Sequence, residues 1–112
     1  MKPDILVVNA KNLRDVPAGY TLIYVGRRTS YRPALGADFS ILGNPFSIKQ
    51  GGFDRDQAVD AYAARMLPLT VQRALDVLRD RARYERLALV CWCAPLRCHA
   101  DVIKAQIEGG EG

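Results

Sequence analysis

All three cysteines of the chain, its one histidine and its one tryptophan lie between residues 91 and 99. Thiols and imidazoles serve as nucleophiles, as general acids or bases and as metal ligands. An apolar run ends at Cys91, Pro95 follows, and an amphipathic segment begins near residue 98. This pattern predicts a strand, a tight loop and the start of a helix, the kind of junction at which open α/β proteins place their sites. We therefore expect the chemistry of this chain to be concentrated here.

One interpretation of this segment is a zinc site. Thiolates and an imidazole are the usual ligands of structural zinc, and four candidates cluster here: Cys91, Cys93, Cys98 and His99. Their C-x-C-x4-C-H spacing departs from the paired C-x2-C pattern that is typical of such sites. We therefore predict no cofactor and keep zinc as the alternative.

A second interpretation is a reactive or ligand-binding site. A helix N-terminus stabilises a thiolate and also suits a phosphate or carboxylate. Cys98 is placed to act as a nucleophile, His99 and Asp101 as acid or base, and Cys93 would line the same pocket. Under a third interpretation these residues only pack, because a reduced cysteine often behaves as a small hydrophobe. That interpretation suits Cys91, which lies inside the apolar run.

Further candidate ligand-binding residues lie in the N-terminal half. Gly26, Arg27 and Arg28 follow a predicted strand, in a stretch without acidic residues until Asp38. The net charge of the whole chain is only +4, so a local anion site is favoured over a broad nucleic-acid surface. A predicted turn further along adds four candidates: Gly43, Asn44, Pro45 and Phe46. Within this turn, Asn44 is expected to hydrogen-bond a ligand.

Strands and helices must bring these segments together. Runs of β-branched, aliphatic and aromatic residues predict strands at Ile5–Val8, Tyr20–Val25 and Arg86–Cys93, the last of them buried on both faces. Helical spacing predicts one helix from Asp54 to Pro68, with Gln57 completing a capping box. It predicts a second helix capped by Thr70, with a buried stripe, and a third from about Arg97. The stripe of the second helix comprises Val71, Ala74, Leu75, Leu78 and Ala82.

The long segment from residue 26 to 53 has no sustained periodicity, and its apolar residues predict an ordered loop packed over the rest of the chain. We expect a further strand within residues 9–19 or 39–48. Together the elements predict a small, Rossmann-like layered α/β fold with a mainly parallel sheet. A single domain would span residues 1–112, with a frayed tail at 109–112.

Composition excludes several classes of protein. An apolar content of 49% and a charged content of 25% in 112 residues are ordinary for a soluble globular domain. No apolar run approaches the roughly 20 residues of a membrane span, and the N-terminus lacks the apolar core of a signal peptide. An odd number of clustered cysteines argues against a disulfide framework. We therefore expect a cytoplasmic protein without a membrane partner.

Several motifs together resemble the bacterial and phage family called domain of unknown function 4326. They are Y-V-G-R at residues 24–27, L-G-N-P-F at 42–46, D-Q-A-V at 56–59 and C-W-C-A-P-L-R-C-H-A-D-V at 91–102. The resemblance runs from about residue 20 to 107. It implies an α/β domain with its signature residues gathered at one site, and it supplies no activity.

These observations lead to one principal expectation and two alternatives. The principal one is a protein that binds a nucleotide, a nucleoside or a related phosphorylated metabolite and, if it is an enzyme, hydrolyses it or transfers a group on it. The first alternative is a non-enzymatic, zinc-stabilised module that binds a protein or a nucleic acid. The second is an accessory protein whose basic loop contacts nucleic acid, with affinity that falls steeply with salt. The sequence does not predict an oligomeric state.

Overall fold

The computed structural model describes residues 4–44, 54–64, 68–92 and 98–109. Of the predicted site residues, Pro45, Phe46 and Cys93 lie outside these ranges. The described strands are Ile5–Asn9 (β1), Tyr20–Tyr24 (β2), Ala37–Asp38 (β3) and Arg86–Cys91 (β4), and the described α-helices are Arg55–Ala64 (α1), Leu69–Arg81 (α2) and His99–Gly109 (α3). Short 3-10 helices occupy Ala10–Asp15, Arg28–Ser30, Pro33–Leu35 and Ser40–Leu42.

The four strands form one parallel sheet in the order β1-β4-β2-β3. β4 lies between β1 and β2, and each of its residues from Leu87 to Cys91 is fully buried. This position explains the unbroken apolar run, because an interior parallel strand is covered on both faces. The predicted α/β fold with a parallel sheet is confirmed.

The two faces of the sheet are covered differently. The α-helices pack on one face, where Leu75 and Ile103 meet Ile23 and Leu89. The opposite face is covered by 3-10 helices and loops, with Leu35 packed in a cluster around Tyr24 and Val90. The chain therefore leaves β2 toward one face and leaves β4 toward the other.

The predicted N-terminus of the first helix is confirmed, and the predicted N-terminus of the second helix is wrong. The Asp54 N–H donates to Gln57 Oε1 at 3.0 Å and the Gln57 N–H donates to Asp54 Oδ1 at 2.7 Å, which is a complete capping box. α2 instead begins at Leu69 after Pro68, which makes no side-chain capping bond, so Thr70 lies inside the helix. Proline is tolerated at this position because it has no backbone N–H to leave unsatisfied at the start of the helix. Its fixed φ also defines where the helix begins, so no hydroxyl side chain is needed there.

The fourth of the described strands lies outside both segments in which the sequence predicts a further strand. The described parts of residues 9–19 and 39–48 contain 3-10 helices, and the strand is the two-residue segment Ala37–Asp38. It pairs with Ile23 and Tyr24, and two residues are too few to show a strand periodicity. β4 also ends at Cys91, earlier than predicted, because Trp92 already lies in a bend.

Among the described residues, no helix combines the length and the apolar character that crossing a membrane requires.

Candidate functional site

The carboxyl ends of the strands bring the two groups of candidate residues to the same edge of the sheet. Arg27 follows β2, and His99 opens α3 shortly after β4. His99 contacts the segment after β2 directly, since its Nε2 lies 2.5 Å from the carbonyl oxygen of Val25, 74 positions earlier in the chain. Two segments that lie far apart in the sequence thus meet at this edge of the sheet.

This edge is also a topological switch point. β2 and β4 are neighbours in the sheet, yet the chain leaves them toward opposite faces. In open α/β sheets, ligands bind in the crevice outside the carboxyl ends of two such strands. The candidate residues are therefore at the position where this class of fold binds ligands.

The hydrogen bond to Val25 determines the tautomer of His99. A carbonyl oxygen only accepts hydrogen bonds, so Nε2 must carry the proton and donate it. In the neutral ring the other nitrogen, Nδ1, then holds a lone pair, and no hydrogen bond to it is found among the described residues. His99 thus offers an acceptor, or a weak base, on one side of a ring that is fixed on the other.

Burial favours the neutral form of His99. The side chain is 8% exposed, and its ring meets the Tyr62 ring edge-on at a centroid distance of 5.2 Å. Loss of hydration is the largest effect and lowers the pKa of the imidazole, and the charge of Arg27 lowers it further. The hydrogen bond to the Val25 carbonyl and the charge of Asp101 raise the pKa. The net result is a pKa below the usual value of 6.5, which keeps the ring uncharged near neutral pH.

The first turn of α3 is capped by its own residues. The Cys98 N–H donates to Asp101 Oδ2 at 3.0 Å, and the Asp101 N–H donates to the Cys98 carbonyl at 3.0 Å. The Ala100 N–H donates to Cys98 Sγ at 3.4 Å. Three N–H groups at this helix N-terminus, where the sequence predicts an anion site, are thus engaged within the chain. The described role of the Asp101 carboxylate is to cap this helix.

Arg27 is the exposed cation closest in sequence to the carbonyl that holds His99. Its Nε donates to the Asn44 carbonyl at 3.1 Å, and in the described part of the chain its two terminal nitrogens make no hydrogen bond. Asn44 is buried, and its Nδ2 donates to the Ala58 carbonyl at 3.1 Å. Asn44 therefore fastens the loop to α1 and holds the Nε end of the Arg27 guanidinium in place.

Gly26 and Gly43 allow the loops after β2 and β3 to touch. A Cβ on Gly43 would lie 2.8 Å from the Gly26 carbonyl oxygen, and a Cβ on Gly26 would lie 2.6 Å from the Tyr24 hydroxyl. Both distances are shorter than real Cβ contacts. A larger residue at position 43 would therefore separate the two loops, and a larger residue at position 26 would displace the Tyr24 ring. Arg28 interacts electrostatically with Asp38. The pKa of the Asp38 carboxyl is lowered chiefly by hydrogen bonds from Ser40, and the positive charge of Arg28 lowers it further.

An aromatic group lies on the other side of β4. Trp92 Nε1 donates to the Tyr24 hydroxyl at 3.2 Å, and that hydroxyl donates to the Arg27 carbonyl at 2.5 Å. The guanidinium of Arg32 lies over the Trp92 ring, 5.7 Å from its centroid, and the Tyr31 ring lies 5.5 Å from that of Tyr24. Arg32 belongs, with Arg27 and Arg28, to the basic stretch for which the sequence favours a local anion site. Its contact with Trp92 is not predictable from the sequence, since only the sheet order brings residues 24, 32 and 92 together.

Two of the candidate thiols are in contact. Cys91 and Cys98 are buried and reduced, with their sulfur atoms 3.3 Å apart. Among the described residues, no group of three or more histidine, cysteine, aspartate or glutamate side chains could hold a metal ion. Cys93 lies outside those residues, so the four-ligand zinc site stays a prediction.

Fold and site together define a small α/β protein with a parallel sheet and a candidate ligand-binding edge between β2 and β4. The chain belongs to the family described as domain of unknown function DUF4326, whose sequence model matches residues 8–109. The match therefore begins within β1 and ends at the last residue of α3. No curated protein and no solved structure matches the chain.

Proposed function

We propose that this protein binds a small anionic metabolite of the nucleotide or nucleoside type at the carboxyl ends of β2 and β4. The observation that carries the proposal is the contact between His99 and Val25, which places an imidazole two residues from the exposed Arg27 at a switch point of the sheet. A cationic fork and a neutral ring acceptor at the same edge of the sheet suit a ligand that carries both a phosphate or carboxylate and hydroxyl groups.

Each residue has a separate role in this proposal. Arg27 pairs with the anionic group through its terminal nitrogens, and Asn44 holds Arg27 in place through the bond to its Nε. His99 accepts a hydrogen bond from a ligand hydroxyl or from water at Nδ1. The partly buried Trp92 and its neighbour Arg32 offer an aromatic and cationic surface on which a base can stack.

A reaction at this site would use His99 as the general base. With Nε2 bonded to Val25, only Nδ1 is available to take a proton from water or from a hydroxyl nucleophile. This assignment supports hydrolysis or group transfer on the bound metabolite. We place this activity in the cytoplasm, where nucleotides are abundant and thiols stay reduced.

Calorimetric titration with adenosine, AMP, ADP and ribose 5-phosphate tests the proposal. We expect at least one phosphorylated compound to bind, and Arg27→Ala to weaken its binding by about tenfold or more, as for loss of a charge-assisted hydrogen bond. His99→Gln should weaken binding as well. Arg73→Ala is the matched control, because Arg73 is an exposed arginine in the middle of α2. Equal affinity of the wild type and both site variants would show that the ligand does not bind at this edge.

A further inference from the structure

We propose that Cys91 and Cys98 form a peroxide-sensitive dithiol that converts reversibly to an intrachain disulfide between the end of β4 and the start of α3. The site is separate from the ligand contacts of the proposed function and does not depend on them. A hydroperoxide is the oxidant, and small thiols are the reductant.

The two thiols lie close together in the core. The two residues are seven positions apart, and their sulfur atoms lie 3.3 Å from each other in the core. A disulfide bond is about 2.05 Å long. The sulfur atoms therefore need to approach by little more than about 1 Å to reach the length of a disulfide bond.

The two thiols lie in different surroundings. Cys98 precedes the 11-residue helix α3, and its sulfur accepts the Ala100 N–H at 3.4 Å. An N–H donor and the positive end of the helix dipole both favour negative charge on this sulfur. Cys98 also retains 3% exposure, whereas Cys91 has none. Cys98 is therefore the attacking thiol, and Cys91 is the thiol that resolves the intermediate.

The chemistry balances with one molecule of hydrogen peroxide. The Cys98 thiolate attacks one peroxide oxygen, the O–O bond breaks, and the released hydroxide takes up the thiol proton as water. The sulfenic acid on Cys98 is then attacked by Cys91, which forms the S–S bond and expels the hydroxyl group with the Cys91 proton as a second water. Two thiols are oxidised by two electrons, and the peroxide is reduced. Excess small thiol reverses the step by thiol–disulfide exchange.

Oxidation would also affect the neighbouring site. Cys98 immediately precedes His99, and its sulfur is the acceptor for the first turn of α3. A disulfide would tie that turn to the end of β4. The redox state of the pair would then determine how firmly His99 is held beside Val25.

The test is disulfide mapping of the native, full-length protein after treatment with a few equivalents of hydrogen peroxide. Remaining thiols are blocked by alkylation, and the chain is digested with trypsin. Arg86, Arg97 and Lys104 are cleavage sites, so Cys98 is released in a different peptide (98–104) from Cys91 and Cys93 (87–97). We expect a cross-linked pair of these peptides, with fragment ions that assign the bond to Cys91, and its complete loss on treatment with dithiothreitol.

Single replacements supply the controls. Cys93→Ser should still form the disulfide, whereas Cys91→Ser should leave Cys98 as a sulfenic or sulfinic acid. The mapping on the wild type needs no variant, so a Cys91→Ser protein that fails to fold leaves the proposal testable. A bond to Cys93, thiols that react only in urea, or thiols protected by one equivalent of tightly bound zinc would each overturn it.

Discussion

Replacing His99 by glutamine should remove a pH dependence of folding stability that the wild type shows below about pH 6.5, the ordinary pKa of a histidine. Glutamine keeps an N–H donor for the Val25 carbonyl but cannot take up a proton. The comparison therefore isolates the protonation of one ring from the hydrogen bond that the ring makes.

The sign follows from the lowered pKa. Burial of the ring, with the charge of Arg27, keeps the folded-state pKa below 6.5 against the opposing Val25 carbonyl and Asp101. Above about pH 7.5 the ring is neutral in both states and stability does not change with pH. Below 6.5 the unfolded chain binds a proton that the folded chain does not, so the free energy of unfolding decreases as the pH falls.

The expected pH dependence of the free energy of unfolding corresponds to the uptake of one proton. Between the unfolded and folded pKa values, the free energy of unfolding falls with a slope that approaches about 1.4 kcal/mol per pH unit. The other groups with shifted pKa values change stability in other pH ranges. The carboxyl groups of Asp38 and Glu85 have lowered pKa values and contribute below about pH 4.5. The shifted tyrosines have raised pKa values and contribute only at alkaline pH. His99 is the one histidine of the chain, so the interval from about pH 7 to 5 reports on it.

Urea unfolding at several pH values measures this effect. The fluorescence of Trp92, the one tryptophan, follows the transition because its indole nitrogen is bonded to Tyr24 in the folded state. We expect the stability difference between wild type and His99→Gln to shift in favour of the variant as the pH decreases from 7.5 to 5.5. A difference that is constant with pH, or that shifts in favour of the wild type, would refute the buried, neutral ring.

Two further predictions concern packing around the site. Tyr62→Phe should destabilise the fold by about 1 to 2 kcal/mol, because the buried hydroxyl donates to the Leu42 carbonyl at 2.6 Å; equal urea midpoints for variant and wild type would contradict this. Gly36→Ala should destabilise by at least about 2 kcal/mol more than Gly19→Ala. Both glycines have positive φ, but only at Gly36 would a Cβ meet backbone, 2.2 Å from the Leu22 carbonyl oxygen, whereas nothing lies within 4 Å at Gly19. Thermal unfolding of the two variants makes that comparison, and equal losses would show that φ alone matters.

Much of the fold could be predicted from local patterns. The apolar run of β4, the capping box at Asp54 and the buried positions Leu75 and Leu78 of α2 all express contacts that a short stretch of sequence encodes. Side-chain alternation and helical spacing carry this information because they reflect burial on one side of an element.

Elements that are held mainly by backbone hydrogen bonds could not be predicted from such side-chain patterns. β3 has two residues and is extended by the bond from the Phe39 N–H to the Tyr24 carbonyl at 2.9 Å. Its side chains show no strand periodicity, and its position depends on β2 being next to it. Likewise, the 3-10 helices that cover one face of the sheet have no amphipathic pattern to identify them.

The candidate site divides in the same way. By itself, the sequence determined that thiols, an imidazole and a carboxylate follow the apolar run of β4 and that arginines follow β2, because the order of residues along the chain is sufficient for that. Only the tertiary structure decided which groups meet. The pairing of β2 with β4 brings the Val25 carbonyl to His99, and the packing of α3 brings Cys98 to Cys91. These contacts involve backbone atoms and buried sulfur atoms, whose partners are set by the three-dimensional arrangement of strands and helices.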